Sequence, residues 1–263
     1  MAGCSDTRFA CLDDNRRVWA IASVFGKYDR LKIIHEVIAS DLKDDDYIVY
    51  MGNMVGVGSK SAEVLDEIKK FKESLPDNTF FYLRGAQEEM WQKLLQLHLA
   101  HKPEKVYQYL LQNGVKSILE SYGISPDEGE KIVEKGTVAI SHWTETIRDK
   151  FYETSAYEGI FQKLKHAAYR EDKRLLFVNA GVDHKLPLEK HKDEFWWADA
   201  NSFSAEKPFN DFSMVVRAYA KGMKAGIYKD DYYLTLGSGE APTAHIYAAL
   251  FSENGVLNKA AEV

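Results

Sequence analysis

The sequence predicts an α/β fold in which short buried strands alternate with amphipathic helices. Three strand–turn–helix units near the start of the chain support this prediction. Each begins with a short apolar run, passes through a glycine-containing turn and continues with apolar residues at helical spacing. Because alternating strands and helices form layered sheets, the turns at the carboxyl ends of the strands are where we expect a functional site.

The elements of these three units follow one another without a long connection. The predicted strands are Arg17–Val24, Tyr47–Met51 and Thr79–Leu83. The turns after them are Phe25-Gly26, Gly52–Gly58 and Arg84-Gly85. The face of the first helix that packs on the sheet is predicted to carry Leu31, Ile34, His35 and Ile38. The second and third helices are predicted at Ala62–Phe71 and Gln87–Ala100.

Residues 91–170 predict a helical block. Its helices are predicted at Lys105–Tyr122, Asp127–Lys135, Trp143–Tyr152 and Ala156–Tyr169, with proline- and glycine-containing breaks between them. A helical block between strands is typical of an inserted cap. We therefore expect one domain over residues 1–263, with a cap inserted at 91–170.

Strands return in the last third of the chain and predict a second, partly antiparallel sheet. Their bulky residues alternate, and glycine-rich breaks separate them. The predicted strands are Arg174–Ala180, Ser213–Arg217, Tyr232–Leu236 and His245–Phe251.

Composition excludes several classes of function. The net charge is −6 and no basic stretch offsets it, so we expect no nucleic-acid partner. No apolar run reaches the length of a membrane span, and Met1–Ala10 lacks the apolar core of a signal peptide. The two cysteines, Cys4 and Cys11, are too few for a cysteine-based zinc site. We expect a cytoplasmic protein without a membrane partner.

Five turn motifs follow predicted strands in a fixed order. They are A-S-V-F-G at Ala22–Gly26, G-N-M-V-G-V-G at Gly52–Gly58, R-G-A-Q-E at Arg84–Glu88, N-A-G at Asn179–Gly181 and R-A-Y at Arg217–Tyr219. Their order and spacing resemble the loop motifs of calcineurin-like metallophosphoesterases of the serine/threonine protein phosphatase type. That family has G-D-x-H-G, G-D-x-x-D-R-G, R-G-N-H-E, then H-A-G or H-G-G, then R-A-H or G-H. Leu83–Met90, with the Trp91-Gln92-Lys93 that follows, resembles a divergent bacterial branch of alphaproteobacterial type.

The resemblance implies a calcineurin-like four-layer sandwich of two mixed β-sheets flanked by helices, with the inserted helical cap. It also implies a site for two divalent metals such as Mn or Fe/Zn. The positions that match the family's metal ligands are Ser23, Phe25, Asn53, Ala86, Asn179 and Tyr219. None keeps the family residue, and the bridging carboxylate is replaced by the neutral amide of Asn53. We therefore expect no metal cofactor.

The positions that match the family's acid–base machinery have changed as well. Gln87 stands at the general-acid histidine, Gly56 at the aspartate that orients it, and Val57 at the arginine that grips phosphate. An amide has no proton to give near neutral pH. The resemblance therefore implies a degenerate phosphoesterase, or pseudophosphatase, retained for binding or regulation rather than for catalysis.

Two alternatives stay open. One is a phosphoric-ester hydrolase, of the protein phosphatase or dinucleotide polyphosphate hydrolase type, with a rearranged site around Asp183, His184, Arg84 and Arg217. The other is a structural subunit of an assembly, which would present a wide apolar patch on the cap or around Trp196.

The former active-site face is predicted to bind an anion or a protein partner through Arg84, Arg217, Trp196 and Trp197. The two arginines follow the third and fifth motif strands, and guanidinium groups suit phosphate and carboxylate ligands. The aromatic run Phe195-Trp196-Trp197 cannot face one core with all three rings. The competing prediction is an internal ion pair for the arginines, with Glu88 or Glu89 for example, and core positions for the aromatic rings.

Overall fold

The computed structural model describes residues 6–75, 78–153, 159–198, 207–218, 224–241 and 243–263. Its described strands form two six-stranded sheets of mixed direction, numbered here in chain order. Sheet 1 contains β2 (Val18–Ile21), β3 (Tyr47–Tyr50), β4 (Thr79–Leu83), β5 (Leu164–Lys165), β11 (Tyr247–Phe251) and β12 (Leu257–Glu262). The order across it is β12-β11-β2-β3-β4-β5, and β2 to β5 are parallel.

Sheet 2 carries the later motif loops. It contains β1 (Phe9–Leu12), β6 (Ala167–Arg170), β7 (Leu175–Val178), β8 (Met214–Arg217), β9 (Gly226–Lys229) and β10 (Tyr233–Gly237). The order is β1-β6-β7-β8-β10-β9, in which β7, β8 and β10 are parallel.

Side chains of sheet 1 alternate between two cores, as the pleat of a strand requires. In β2, Val18 and Ala20 face the core between the sheets, where Phe177 of sheet 2 also lies. Trp19 and Ile21 face the helices on the outer side. A third core, with Phe195 and Trp196, covers the outer face of sheet 2. The predicted four-layer sandwich of two mixed sheets is confirmed.

Helices fill the outer layer of sheet 1. They are α1 (Tyr28–Ala39), α2 (Ser61–Glu73), α3 (Ala86–Leu95), α4 (Pro103–Leu110), α5 (Lys116–Ser121), α6 (Pro126–Val133) and α7 (Thr137–Tyr152), and a short α8 (Glu194–Trp197) lies against sheet 2. The domain boundary predicted at residues 91–170 stays a prediction. In the described part of the chain, no helix is both long and apolar enough to span a membrane.

Two helix predictions were wrong. The helix predicted at Lys105–Tyr122 is interrupted by a π-turn at Leu111–Val115, where Gly114 has φ +111°. The helix predicted at Ala156–Tyr169 falls partly outside the described residues, and from Leu164 onward the chain forms β5 and β6. All four β6 side chains are buried, and an apolar run of this kind does not separate a buried strand from a helix.

A buried histidine joins α1, α2 and β3. The His35 ring is stacked on Phe71 with 3.9 Å between ring centroids. Its Nδ1 lies 2.9 Å from Glu67 Oε1, and its Nε2 lies 2.7 Å from Tyr50 Oη. The carboxylate can only accept, so Nδ1 carries the proton and Nε2 accepts from the tyrosine. Burial lowers the pKa of His35 to about 4.

We expect this histidine to make the fold sensitive to acid. Its pKa in the folded state lies below the ordinary value of 6.5, so the neutral ring stabilises the fold above pH 6.5. That contribution is lost as the pH falls toward 4. Between pH 7 and pH 5 the free energy of unfolding should fall by about 2 kcal/mol more in the wild type than in His35→Gln. Urea denaturation of both proteins measures this difference, and parallel pH profiles would contradict it.

Candidate functional site

The loops after β2, β3 and β4 pack against one another through their backbones. The N–H groups of Val24 and Phe25 donate to the Asn53 carbonyl at 3.0 and 2.7 Å. A Cβ atom at Gly26 would lie 2.6 Å from the Gly58 carbonyl oxygen, which is too close. Gly26 itself has φ +67°, so only glycine fits here without strain. The motif glycines are therefore explained by close loop packing.

Glu88 ties the third loop to the second. Its carboxylate is fully buried and accepts the N–H groups of Gly85 at 2.9 Å, Asn53 at 2.8 Å and Met54 at 2.8 Å. Burial raises the pKa of Glu88, while these donors act in the opposite direction. The glutamate of the third motif is therefore a structural cross-link between loops.

Three of the positions that match metal ligands form a buried hydrogen-bond network. Asn53 Nδ2 donates to Ser23 Oγ and to Asn179 Oδ1, each at 3.2 Å. Asn53 Oδ1 accepts the Gln87 N–H at 3.0 Å, and Asn179 Nδ2 donates to the Met51 carbonyl at 2.7 Å. Because one partner of each amide is a backbone group with a fixed role, both amide orientations are determined. Ser23, Asn53 and Asn179 are all 0% exposed.

This network does not fit a divalent cation. The centre of the site is occupied by the N–H donors of Asn53, whereas a hard cation needs oxygen lone pairs and carboxylate charge. Asn179 Oδ1 already accepts from Asn53. Phe25 is buried with φ +52°, and Ala86 begins α3. Within the described ranges, no three His, Cys, Asp or Glu side chains come close enough to hold a metal. Tyr219 lies outside the described residues.

The residues at the positions that match the family's acid–base machinery, Gln87, Gly56 and Val57, are fixed by packing contacts and backbone conformation. Gln87 Nε2 donates to the Asn113 carbonyl at 3.0 Å, and its side chain packs on Gly56 and Gly114. Either glycine would clash with the Gln87 amide if it carried a Cβ. Val57 has φ +57°, which is strained for a β-branched residue. Gln87 therefore connects the Ser23–Asn53–Asn179 network to the break between α4 and α5.

Arg84 and the aromatic run lie together. Arg84 Nη1 bonds Glu89 Oε2 at 2.7 Å, and its guanidinium lies 5.6 Å from the Trp196 ring centroid. Phe195 and Trp196 are buried, whereas Trp197 is 38% exposed. Within the predicted run, Trp197 is thus the ring that reaches solvent.

Arg217 has a different set of neighbours. It is buried, donates from Nε to Thr235 Oγ1 at 2.7 Å and lies over Tyr233 at 4.8 Å from the ring centroid. Burial lowers the pKa of Arg217. The structure thus places each arginine against its own partners, and anion binding through both stays a prediction.

Asp183 and His184 are neighbours in the sequence but form hydrogen bonds with different parts of the fold. Asp183 Oδ1 accepts the Lys185 N–H at 2.8 Å, a bond within its own turn. His184 Nε2 lies 3.1 Å from Tyr233 Oη, so Tyr233 stands between His184 and Arg217. Burial lowers the pKa of His184. Tyr233 lies in a predicted strand but was not predicted as a site residue, because it belongs to none of the five motifs.

A cavity of about 560 Å³ opens beside Gln87. One wall comes from the motif loops, with Val57 and Ala86. A second comes from α4, the π-turn and α5, and a third from Trp196–Ala198. Sequence reasoning missed the second wall, although Asn113-Gly114 within a predicted helix was a usable signal.

Comparison with known proteins shows the fold. No protein-family profile matches this sequence, and no curated protein matches it. A crystal structure of a candidate diadenosine tetraphosphatase is 15% identical, with 97% of each chain covered and a TM-score of 0.57. A cold-active protein tyrosine phosphatase is 12% identical (95% of this chain, 80% of that one, TM-score 0.52). A serine/threonine phosphatase from Saccharomyces cerevisiae is 13% identical (92% and 76%, TM-score 0.50). The chain has the calcineurin-like phosphoesterase fold.

We expect the Asn53→Asp variant to be less stable than the wild type. A carboxylate would face Asn179 Oδ1 without a proton to donate and would bury a charge. The free energy of unfolding should fall by about 2–4 kcal/mol in urea denaturation at pH 7 with EDTA.

The exposed Asn254 supplies a matched control, since Asn254→Asp makes the same chemical change on the surface. Its free energy of unfolding should stay within about 0.5 kcal/mol of wild type. If Mn²⁺ restores the stability of Asn53→Asp above that of the wild type, the new carboxylate holds a metal and our interpretation of the network is wrong.

Proposed function

We propose that this protein is a pseudophosphatase, a phosphoesterase-fold protein that binds a ligand or partner and does not hydrolyse phosphate esters with metals. One observation carries the proposal. A dinuclear site would need carboxylate and imidazole ligands at the positions that match the family's metal ligands. Instead, the two amides of Asn53 and Asn179 and the hydroxyl of Ser23 form a buried network that is hydrogen-bonded within the protein.

The requirements of the reaction support this proposal. Metal-assisted hydrolysis needs cations to activate water and to neutralise the phosphoryl oxygens. It also needs a group that protonates the leaving oxygen. Asn53 presents N–H donors to the centre of the site, and the amide of Gln87 is bonded to the Asn113 carbonyl. Neither residue can supply what the reaction needs.

A rearranged site is the second candidate. Its best support is the contact of His184 with Tyr233, which also lies under the buried guanidinium of Arg217. A histidine in contact with a tyrosine hydroxyl is one arrangement from which acid–base chemistry can start. The Asp183 carboxylate, however, is bonded to the Lys185 backbone. The structural-subunit alternative, the cytoplasmic location and a protein or anionic partner also stay predictions.

We expect purified protein to hold well under one transition metal ion per chain. Elemental analysis after dialysis measures this, and the outcome against the proposal is close to two ions per chain. Hydrolysis of p-nitrophenyl phosphate with added Mn²⁺ should stay at the uncatalysed rate. If turnover appears and is abolished in Asp183→Ala or His184→Ala, the rearranged site is correct instead.

Single reversions toward the family motif should not create activity. Ser23→Asp, Phe25→His and Asn53→Asp together rebuild only part of one metal site, since Asn179 and Tyr219 still lack imidazole groups. Residues of a catalytic unit act non-additively. We therefore expect each single variant, and the triple variant, to hydrolyse the aryl phosphate at background with Mn²⁺. Clear metal-dependent turnover in any single variant would contradict this.

A further inference from the structure

We propose that the cavity beside Gln87 binds a flat, uncharged ring compound with hydrogen-bonding edges, of the nucleoside type. This inference rests on the proposed function, because a metal-loaded site would favour a phosphate group there. The cavity, at about 560 Å³, lies within the size range of small-ligand sites in proteins.

Aromatic rings from two different elements line the cavity. Tyr109 on α4 is 52% exposed and Trp197 on α8 is 38% exposed. Large aromatic side chains are usually buried, so two exposed rings at one cavity are a specific feature. Rings of this kind stack on flat heterocycles without regard to charge.

The charges at the cavity disfavour a phosphate ligand. Among the described lining residues, Lys116 is the only basic one, and its Nζ lies 3.9 Å from Glu120 Oε1. Glu240 adds a second acidic group to the lining. The lining thus carries one cation against two anions. The cations next to it, Lys93 over the Trp197 ring and Arg84 over the Trp196 ring, are both paired with Glu89, so the described residues offer a phosphate dianion no unpaired positive charge. The two arginines of the former active-site face do not belong to the described lining.

Neutral polar groups provide the remaining contacts. Gln112, Asn113 and Ser117 line the wall formed by the π-turn. The Gln112 amide can both donate and accept, as the edges of an uncharged heterocycle require. Ser117 Oγ donates to the Gly114 carbonyl at 2.9 Å, so toward a ligand its oxygen accepts, and Asn113 offers its amide oxygen and its second N–H. Polar groups of this kind beside aromatic rings are typical of a site that orients a small ligand.

The wall is held in place before any ligand arrives. Gln87 Nε2 bonds the Asn113 carbonyl at 3.0 Å, and Asn113 Nδ2 bonds the Tyr109 carbonyl at 2.7 Å. The Gln87 N–H is in turn bonded to Asn53 Oδ1. A fixed wall reduces the entropy lost on binding. The amide network of the former metal centre therefore supports the cavity.

Isothermal titration calorimetry tests the proposal with adenosine, uridine and adenosine 5′-monophosphate as probes, on the full chain in EDTA. We expect saturable binding of at least one nucleoside. The monophosphate, which differs from adenosine by its dianionic group, should bind at least about threefold more weakly. Absence of binding by both nucleosides up to millimolar concentration overturns the proposal. Tighter binding of the monophosphate than of adenosine overturns it too.

Variants of the rings test the site. Trp197→Ala and Tyr109→Ala should each weaken nucleoside binding about tenfold, since stacking on one ring carries about that much affinity. Trp197→Phe, which keeps a ring, should retain binding within about threefold. Tyr228→Ala, an exposed tyrosine on β9 outside the described lining, is the matched control and should bind like the wild type. Circular dichroism checks that each variant is folded. If Trp197→Ala and Tyr109→Ala are both folded and both bind nucleoside like the wild type, the assignment of the site is refuted.

The two proposals fail separately. Metal-dependent turnover of p-nitrophenyl phosphate contradicts the pseudophosphatase and is measured without nucleoside. Background turnover together with a flat nucleoside titration leaves the pseudophosphatase standing and removes the nucleoside site.

Discussion

The described site depends on Asn53, because every polar group of this residue is bonded and its bonds reach three other segments of the chain. Its N–H meets Glu88, its carbonyl accepts from Val24 and Phe25, and its side chain reaches Ser23, Gln87 and Asn179. Its backbone has φ +52°, which asparagine tolerates better than most residues. An aspartate would accept this backbone equally well but would lack the two N–H donors. The amide therefore gives this site a hydrogen-bonded arrangement that a carboxylate at the same position would not form.

The same network joins the two sheets. Asn179 follows β7 of sheet 2, and it is bonded to Asn53 and Met51, which follow β3 of sheet 1. Shared metal ligands from both sheets would hold this edge together in a dinuclear site. Here neutral hydrogen bonds occupy the equivalent place, at a position from which water is excluded. The strength of these hydrogen bonds does not depend on a bound metal, so the loops can keep their conformation without one.

Most interior strands of the fold could be predicted from the sequence, whereas its edges could not. The exception in the interior is β6 of sheet 2, which was predicted as part of a helix. Strands β2, β3 and β4 are short apolar runs followed by glycine turns, so pattern and burial agree. Strands β1, β9 and β12 were not predicted and β5 was predicted as a helix, and these four form the sheet edges. An edge strand such as β9, with Ile227 and Tyr228 exposed, has no alternation to detect because pairing with one neighbour decides its conformation. At the candidate site, the sequence alone identified which residue types stand at the motif positions. It did not identify their partners, since Tyr233 and Asn113 meet His184 and Gln87 only through tertiary packing.

The left-handed backbone at Phe25, Asn53 and Val57 has a consequence for dynamics. Such conformations cost of order 1–3 kcal/mol each in non-glycine residues and persist only when the surrounding contacts enforce them. All three lie in the two loops that Asn53 holds together, and Glu88 joins the second of these loops to the third. Loss of one contact would release the stored strain of its neighbours, so the loops should open together as one cooperative unit. Amide protons of Val24, Phe25 and Met54 would then exchange with solvent at a common rate, set by a single opening event well below global unfolding.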